Sequence, residues 1–236
     1  MGQLESLQAH WRLDSKAEYR CDRTLNLYKT PDEPGLVTQA ATGSQLKITA
    51  IAPDGIHVVL CADQYPGWLR LADVDALSLA TTPYQPPTVT RQDIEQAIPG
   101  AIAFAQAAMN IPNQYLWGGT VAPNYDCSGL VQAAFASAGV PLPRDSYQQE
   151  AFTDTISKND LRLGDLIFFG TPEKTTHVAL HIGKGRYIHS SGKDQGRNGI
   201  GIDSIVDLTD PISQTYAEQY RCCGRIVKGY RPEEIS

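Results

Sequence analysis

Short apolar runs separated by turn residues characterise the first 80 positions of the chain. Four of these runs read as strands, and they occupy residues 24–28, 45–51, 56–60 and 67–71. The segments between them, such as TPDEPG, APDG and YPG, are rich in Gly, Pro and Asp. Short strands with such turns are typical of a small barrel or sandwich. The pattern predicts an all-β domain over residues 1–80.

The spacing of apolar residues along the chain changes after a proline-rich stretch. Residues 81–90, TTPYQPPTVT, hold three prolines, which fix φ and favour a stiff, extended connector. We therefore predict a linker over residues 81–92 and a second domain over residues 93–236.

The second domain begins with helical spacing and continues with strand-like runs. Residues 93–110 and 128–138 have helical periodicity, although Pro99 is expected to break or kink the first helix. Five apolar runs follow at residues 165–169, 177–182, 186–189, 200–205 and 224–230. Helices followed by a sheet predict an α+β domain.

Charge and apolar content narrow the function classes. The net charge of −6 and the pI near 5.3 argue against a nucleic-acid or anionic-membrane partner. A secretory segment needs about 7–15 consecutive apolar residues, and the first 16 residues contain no such run. The sequence therefore predicts a cytoplasmic protein. The five cysteines, an odd number without CxxC spacing, predict neither a disulfide framework nor a zinc ribbon.

Cys127 is the candidate nucleophile. It begins a predicted helix, with Asp126 placed as the N-cap and Gly139 just beyond the end. The positive end of a helix dipole favours the thiolate, which is the reactive form. Taken alone, a cysteine at this position is equally compatible with a buried structural residue.

Two histidines supply a candidate base and its partner. In HVALHIG, period-two alternation predicts a strand whose histidines share one face. If Gly183, Lys184 and Gly185 form a three-residue loop, His177 lies diagonal to His189 at about 7–8 Å. A two-residue loop would place the two histidines on opposite faces. We predict that His177 is the general base and that His189 orients it.

A zinc site is the competing use of these residues. On a strand, His177 and His181 would stand about 13 Å apart, too far to share one ion. The sequence therefore predicts no metal and no other cofactor.

Five segments of the second domain resemble the NlpC/P60 cysteine peptidases, which have a papain-like fold with a central antiparallel sheet. In chain order they are YLWGG (115–119), DCSGLV (126–131), RLGDLIFF (162–169), HVALHIG (177–183) and RYIHSSG (186–192). The resemblance implies catalytic roles for Cys127, His177 and His189, and an oxyanion-holding role for Tyr115. Trp117 is expected in the core. The segments at 26–48 and 65–71 resemble the bacterial SH3 (SH3b) domain.

The resemblance also implies a substrate class. SH3b plus NlpC/P60 is similar to γ-D-glutamyl-L-diamino acid endopeptidases, which cleave peptidoglycan stem peptides. Some require the free amine of an N-terminal L-Ala, which suits the recycling of soluble wall peptides in the cytoplasm. Asp126, Ser128 and Tyr65 are the candidate amine-binding residues, and Arg144 and Ser146 the candidate carboxylate-binding residues.

Several alternatives stay open at this stage. An amidase or acyltransferase on the same scaffold would keep Cys127 and His177, and a non-catalytic wall-peptide-binding protein would keep only the fold. The sequence does not distinguish diaminopimelate from lysine in the substrate.

Overall fold

A computed structural model describes residues 3–32 and 35–232 of the chain, so the ends of the two predicted domains lie outside the described residues. Of the described residues, 3–86, 117–121 and 231–232 form one compact unit, and 87–116 and 122–230 form a second. The grouping of residues 117–121 with the first unit was not anticipated. The limits 1–80, 81–92 and 93–236 stay predictions.

The first unit is built on one antiparallel sheet of seven strands in the order β3-β2-β6-β5-β4-β1-β7. Its strands are β1 (Glu18–Cys21), β2 (Leu25–Tyr28), β3 (Leu36–Ala40), β4 (Gln45–Ile51), β5 (Gly55–Leu60), β6 (Pro66–Arg70) and β7 (Leu77–Leu79). A 3-10 helix, Leu71–Ala76, precedes β7, and a two-residue strand β8 (Thr120–Val121) also belongs to this unit.

A helix at the N-terminus corrects the prediction that residues 1–80 are all-β. Helix α1 (Gln3–Leu13) buries Leu7 in the core of the first unit, with Leu4 and Trp11 packed against the same core. These three residues follow the i, i+3, i+7 spacing of a helix face. The indole Nε1–H of Trp11 donates to the Ile48 carbonyl at 2.9 Å, which ties the helix to β4.

The second unit contains four helices: α2 (Arg91–Met109), α3 (Cys127–Ser137), α4 (Ser146–Phe152) and α5 (Pro211–Glu218). A capping box of Thr90 and Asp93 begins α2, and the helix continues through Pro99 instead of ending there. The helix therefore does not break at Pro99, as it was expected to. Helix α2 buries Ile94 and Ala105 on one face, and this packing holds the helix together. None of the described helices combines the length and apolarity that a bilayer crossing needs.

The sheet of the second unit is antiparallel, with strand order β10-β15-β11-β12-β13-β14. The strands are β10 (Asp154–Ile156), β11 (Leu166–Gly170), β12 (Thr175–Gly183), β13 (Arg186–Ser191), β14 (Gly199–Ser204) and β15 (Tyr220–Arg225), and a short strand β9 (Asn124–Tyr125) lies outside this sheet. The last strand ends at Arg225, although residues 224–230 were predicted. Beyond it, Ile226 and Tyr230 hydrogen-bond to Arg91 and Pro141, which lie outside the sheet.

Both faces of this sheet are buried. Phe168, Val178 and Ile188 face the core that α2 and α3 cover. Phe169 and Tyr187 face a second buried cluster that includes Tyr216 of α5. The face predicted to be polar is therefore covered, and polar side chains on it need internal partners.

The β12–β13 hairpin has the predicted register around the histidines but a shorter loop. Leu180 pairs with Ile188, whereas Gly183 pairs with Arg186, because a bulge lies between His181 and Gly183. The loop is thus the pair Lys184-Gly185, whose φ angles of 55° and 69° suit a two-residue turn. The expectation that such a loop would separate the histidines was wrong, since the bulge absorbs the extra residue.

The turn predicts the effect of a single methyl group. Gly185→Ala should lower the free energy of unfolding by about 2 kcal/mol, because of its positive φ and because the new Cβ would meet the Val206 side chain at 2.6 Å. Gly139→Ala is the matched control, with φ at +83° but nothing within 4 Å of the new Cβ. Its cost should be about 1 kcal/mol in denaturant unfolding. Equal losses would show that the contact with Val206 is unimportant.

Candidate active site

Cys127 is the first residue of α3 and is almost fully buried, with 6% of its surface exposed. Asp126 caps the helix, as predicted, by accepting the Gly129 N–H at 2.7 Å. The backbone amides of Ser128 and of Val178 in β12 hydrogen-bond to the sulfur. The thiol therefore lies against the strand that carries His177.

The protonation of Cys127 differs from the sequence-based expectation. Burial raises the pKa of the thiol to about 12, and the charge of Asp126 acts in the same direction. The amides of Val178 and Ser128 and the charge of Arg144 lower it by less. Burial outweighs the helix terminus, so the resting group is a neutral thiol that needs a base.

His177 and His189 meet through their rings. Nε2 of His177 and Nδ1 of His189 are 2.7 Å apart, and the rings are nearly perpendicular at 84°. Only 8% of His177 and none of His189 is exposed. The structure thus brings together three of the predicted residues, with the sulfur of Cys127 beside the amide that follows His177.

Both imidazoles are held in the neutral form. Burial lowers the pKa of His177 well below its ordinary value, and the proximity of His189 lowers it further. Burial also lowers the pKa of His189, although its hydrogen bond to the Asp203 carboxylate opposes this effect. A neutral His177 is able to accept a proton, which is what a general base requires.

Asp203 and Arg197 complete a chain that sequence reasoning missed. Oδ2 of Asp203 is 2.6 Å from Nε2 of His189, and its Oδ1 is 2.5 Å from Nη2 of Arg197. A signal was present, because residues 200–205 were predicted to be a strand. Pairing that strand with β13 places Asp203 opposite Tyr187, two positions from Gly201, the partner of His189.

Two tyrosines surround the reactive groups. Burial raises the pKa of Tyr115, and the charge of the neighbouring Asp126 raises it further, so its phenol stays a proton donor. Tyr216, which was not predicted, stacks on His177 with ring centroids 4.6 Å apart. Its hydroxyl shares a 2.6 Å hydrogen bond with Ser191, which fixes the ring from α5.

Three of the five predicted amine and carboxylate binders form one internal cluster. Arg144 is 2% exposed, and its two terminal nitrogens reach the two carboxylate oxygens of Asp126 at 3.1 and 2.6 Å. Arg144 also donates to the Ser128 hydroxyl at 2.9 Å. An ammonium at Asp126 would share its carboxylate with a guanidinium, and a substrate carboxylate at Arg144 would compete with Asp126. The binding roles of Asp126 and Arg144 stay predictions.

The remaining predicted positions differ in burial. Ser146 is buried as the first residue of α4, and Tyr65, in the first unit, donates its backbone N–H to Asp63. Their binding roles, and that of Ser128, stay predictions. Trp117 is 73% exposed, so its expected core position was wrong. His181 binds the Arg162 carbonyl through Nδ1.

Within residues 3–32 and 35–232, no group of three or more His, Cys, Asp or Glu side chains is arranged to hold a metal ion.

Comparisons with known proteins identify two regions. The profile described as the NlpC/P60 family matches residues 112–225, and the profile of the bacterial dipeptidyl-peptidase SH3 domain matches residues 27–74. A γ-D-glutamyl-L-lysine dipeptidyl-peptidase of Bacillus cereus is 30% identical over 201 residues, which cover 84% of this chain and 54% of that protein.

Two further similarities cover different shares of the chain. The probable endopeptidase p60 of Listeria monocytogenes is 37% identical over 102 residues, 43% of this chain. The chain spans only 20% of that protein's length. A crystal structure of an NlpC/P60 family protein from Bacillus cereus is 24% identical, with a TM-score of 0.47 over 93% of this chain and 66% of that one.

The internal ion pair predicts a large cost for losing one partner. Asp126→Ala should lower the free energy of unfolding by about 3–5 kcal/mol, because Arg144 would stay buried without a carboxylate. Adding Arg144→Met should recover all but about 1 kcal/mol, the value of the lost helix cap. The exposed pair of Arg23 and Asp73 is the control, and Asp73→Ala should cost less than about 1 kcal/mol. A small effect of Asp126→Ala would mean that its carboxylate is free for other uses.

Proposed function

Because the chain carries an NlpC/P60 domain together with a bacterial SH3 domain, we propose that it is a cysteine peptidase that cleaves peptidoglycan stem peptides. The bond we assign is the one between γ-D-glutamate and the diamino acid. The observation that carries the proposal is the meeting of His177 with His189 beside the sulfur of Cys127.

The first chemical step is attack of the sulfur on the γ-carbonyl carbon. Nε2 of His177 is occupied by His189, so Nδ1 is the nitrogen left to accept the thiol proton. Since Cys127 is a neutral thiol at rest, this transfer accompanies the attack. His177 becomes an imidazolium, and His189 stabilises it through the 2.7 Å hydrogen bond.

The negative charge on the attacked oxygen needs donors. The N–H of Cys127 lies in the first turn of α3, whose amides have no partner within the helix. The phenol of Tyr115 is a second donor, because its raised pKa keeps it protonated. Removing one such donor typically slows catalysis about 10²–10³-fold.

Breakdown of the intermediate completes the reaction. The imidazolium of His177 gives its proton to the leaving amine of the diamino acid, and the C–N bond breaks. A thioester between Cys127 and the glutamyl γ-carbonyl remains. His177 then takes a proton from a water molecule as the water oxygen attacks the thioester carbon. The C–S bond breaks, the γ-carboxylic acid product leaves, and the imidazolium returns its proton to the sulfur.

The proposed substrate is based on what the similar proteins are named for. The Bacillus cereus protein is a dipeptidyl-peptidase for a γ-D-glutamyl-L-lysine bond, and the SH3 profile carries the same kind of name. An enzyme that removes dipeptides must recognise the substrate's N-terminus, because it cleaves two residues from that end. We therefore propose that the free amine of L-Ala is required.

The setting that fits such a substrate is the cytoplasm, where soluble wall peptides are recycled. Free N-terminal L-Ala is a feature of released stem peptides, not of peptides still attached to glycan. All five cysteines are free thiols, a state typical of a reducing compartment. Both points support recycling over lysis.

Substitution of the nucleophile tests the assignment. Cys127→Ala should abolish hydrolysis of L-Ala-γ-D-Glu-diaminopimelate and of its lysine analogue, while peptide binding stays measurable by calorimetry. Cys222→Ala, at a half-buried thiol in β15, is the control and should keep normal turnover. Unchanged hydrolysis by Cys127→Ala would remove this residue from the mechanism.

Acetylation of the substrate tests the amine requirement. N-acetyl-L-Ala-γ-D-Glu-diamino acid should be cleaved at least about 100-fold more slowly than the free tripeptide, since a buried ammonium-binding group left unpaired costs several kcal/mol. Mass spectrometry of both digests, beside a digest of intact sacculus, gives the comparison. Equal rates for the two tripeptides would contradict amine recognition but leave the peptidase activity intact.

A further inference from the structure

Asp203 belongs to a continuous hydrogen-bond chain that is buried from its carboxylate to His177. The chain runs from Arg197 to Asp203 (2.5 Å), then to His189 (2.6 Å) and to His177 (2.7 Å). Each hydrogen bond of the chain uses a different pair of atoms. The exposed fraction of Asp203 is 5%, and that of His189 is 0%. Water therefore has little access to the links between the carboxylate and the base.

Asp203 is ionised within this chain. Burial would raise the pKa of its carboxyl group, but the hydrogen bonds and charges of His189 and Arg197 outweigh burial and lower it. An ionised carboxylate only accepts hydrogen bonds. The proton of the 2.6 Å contact therefore resides on Nε2 of His189.

The proton position then propagates through both rings. Neutral His189 with its proton on Nε2 has an unprotonated Nδ1, which must accept from His177. His177 therefore carries its proton on Nε2, and its Nδ1 lone pair is free for the thiol. The Asp203 carboxylate therefore sets the tautomer of His177, a base that is two hydrogen bonds away.

We propose that Asp203, held in place by Arg197, is a positioning residue that fixes the tautomers of His189 and His177. This inference rests on the proposed cysteine-peptidase function and adds two residues to the set of Cys127, His177 and His189. Asp203 touches neither substrate nor sulfur in this scheme, and it acts through His189.

The geometry differs from that of a purely structural ion pair. Asp165 gives both carboxylate oxygens to Arg225, at 2.9 and 2.7 Å, as a structural pair does. Asp203 gives Arg197 one oxygen and keeps the other for His189. Arg197 thus orients the carboxylate and leaves one oxygen for the imidazole.

The substitution Asp203→Asn would reverse the proton positions on His189 and His177. Arg197 only donates, so the single carbonyl oxygen of the new amide turns toward it, and the NH₂ group faces Nε2 of His189. His189 must then move its proton to Nδ1 and donate to His177. His177 in turn carries its proton on Nδ1, which faces Cys127, and cannot accept the thiol proton.

Three measurements on the full chain test the proposal. We expect kcat of Asp203→Asn to fall about 10²–10⁴-fold, with KM changed by less than about threefold. We expect ring ¹⁵N chemical shifts to report the proton of His189 on Nε2 in the wild type and on Nδ1 in the variant. Alkylation of Cys127 by iodoacetamide at pH 7 should slow at least tenfold, with Cys222 as the internal reference.

Asp165→Asn is the matched control, because it neutralises another buried, arginine-paired carboxylate, one residue before β11. It should lower stability without altering the ¹⁵N shifts, the alkylation rate or kcat of the folded fraction. Unchanged His189 shifts in Asp203→Asn would overturn the proposal even if activity fell. If the shifts and alkylation change as expected but no tripeptide is cleaved by the wild type, the proposed substrate is wrong and the positioning role stands.

Discussion

The pairing register of β12 and β13 is the constraint on which the site depends. A shift by one residue would turn His177 and His189 to opposite faces of the sheet. The bulge after His181 lets a two-residue turn close the hairpin while keeping both rings on one side. Since both faces are covered by apolar residues, any other register would bury these imidazoles without partners. Packing of the sheet therefore enforces the catalytic geometry.

Local patterns were sufficient to predict much of this architecture. The nucleophile helix, its Asp126 cap and the four strands β11 to β14 of the central sheet follow from periodicity and turn residues within short windows. The register of the hairpin was also predicted, since alternation in HVALHIG leaves few choices. Helices α4 and α5, with seven and eight residues, were not predicted, because so few turns give a weak periodic signal.

The remaining features depend on partners far apart in the sequence. Arg144 was predicted to bind a substrate carboxylate, and the structure pairs it with Asp126, 18 residues away. Asp203 could be placed beside His189 only once the order of β13 and β14 was known. The protonation of Cys127 required its burial, which no local pattern gives. In each case a long-range contact determines the chemistry of the residue.

Burial of Cys127 has a consequence for the lifetime of the protein. Oxidants such as peroxide attack the thiolate much faster than the thiol, and an exposed thiolate progresses to sulfenic and then to irreversibly oxidised acids. A sulfur that is protonated and shielded between α3 and β12 is a poor target for that chemistry. The same desolvation that makes the nucleophile dependent on His177 thus protects it from oxidative damage between turnovers.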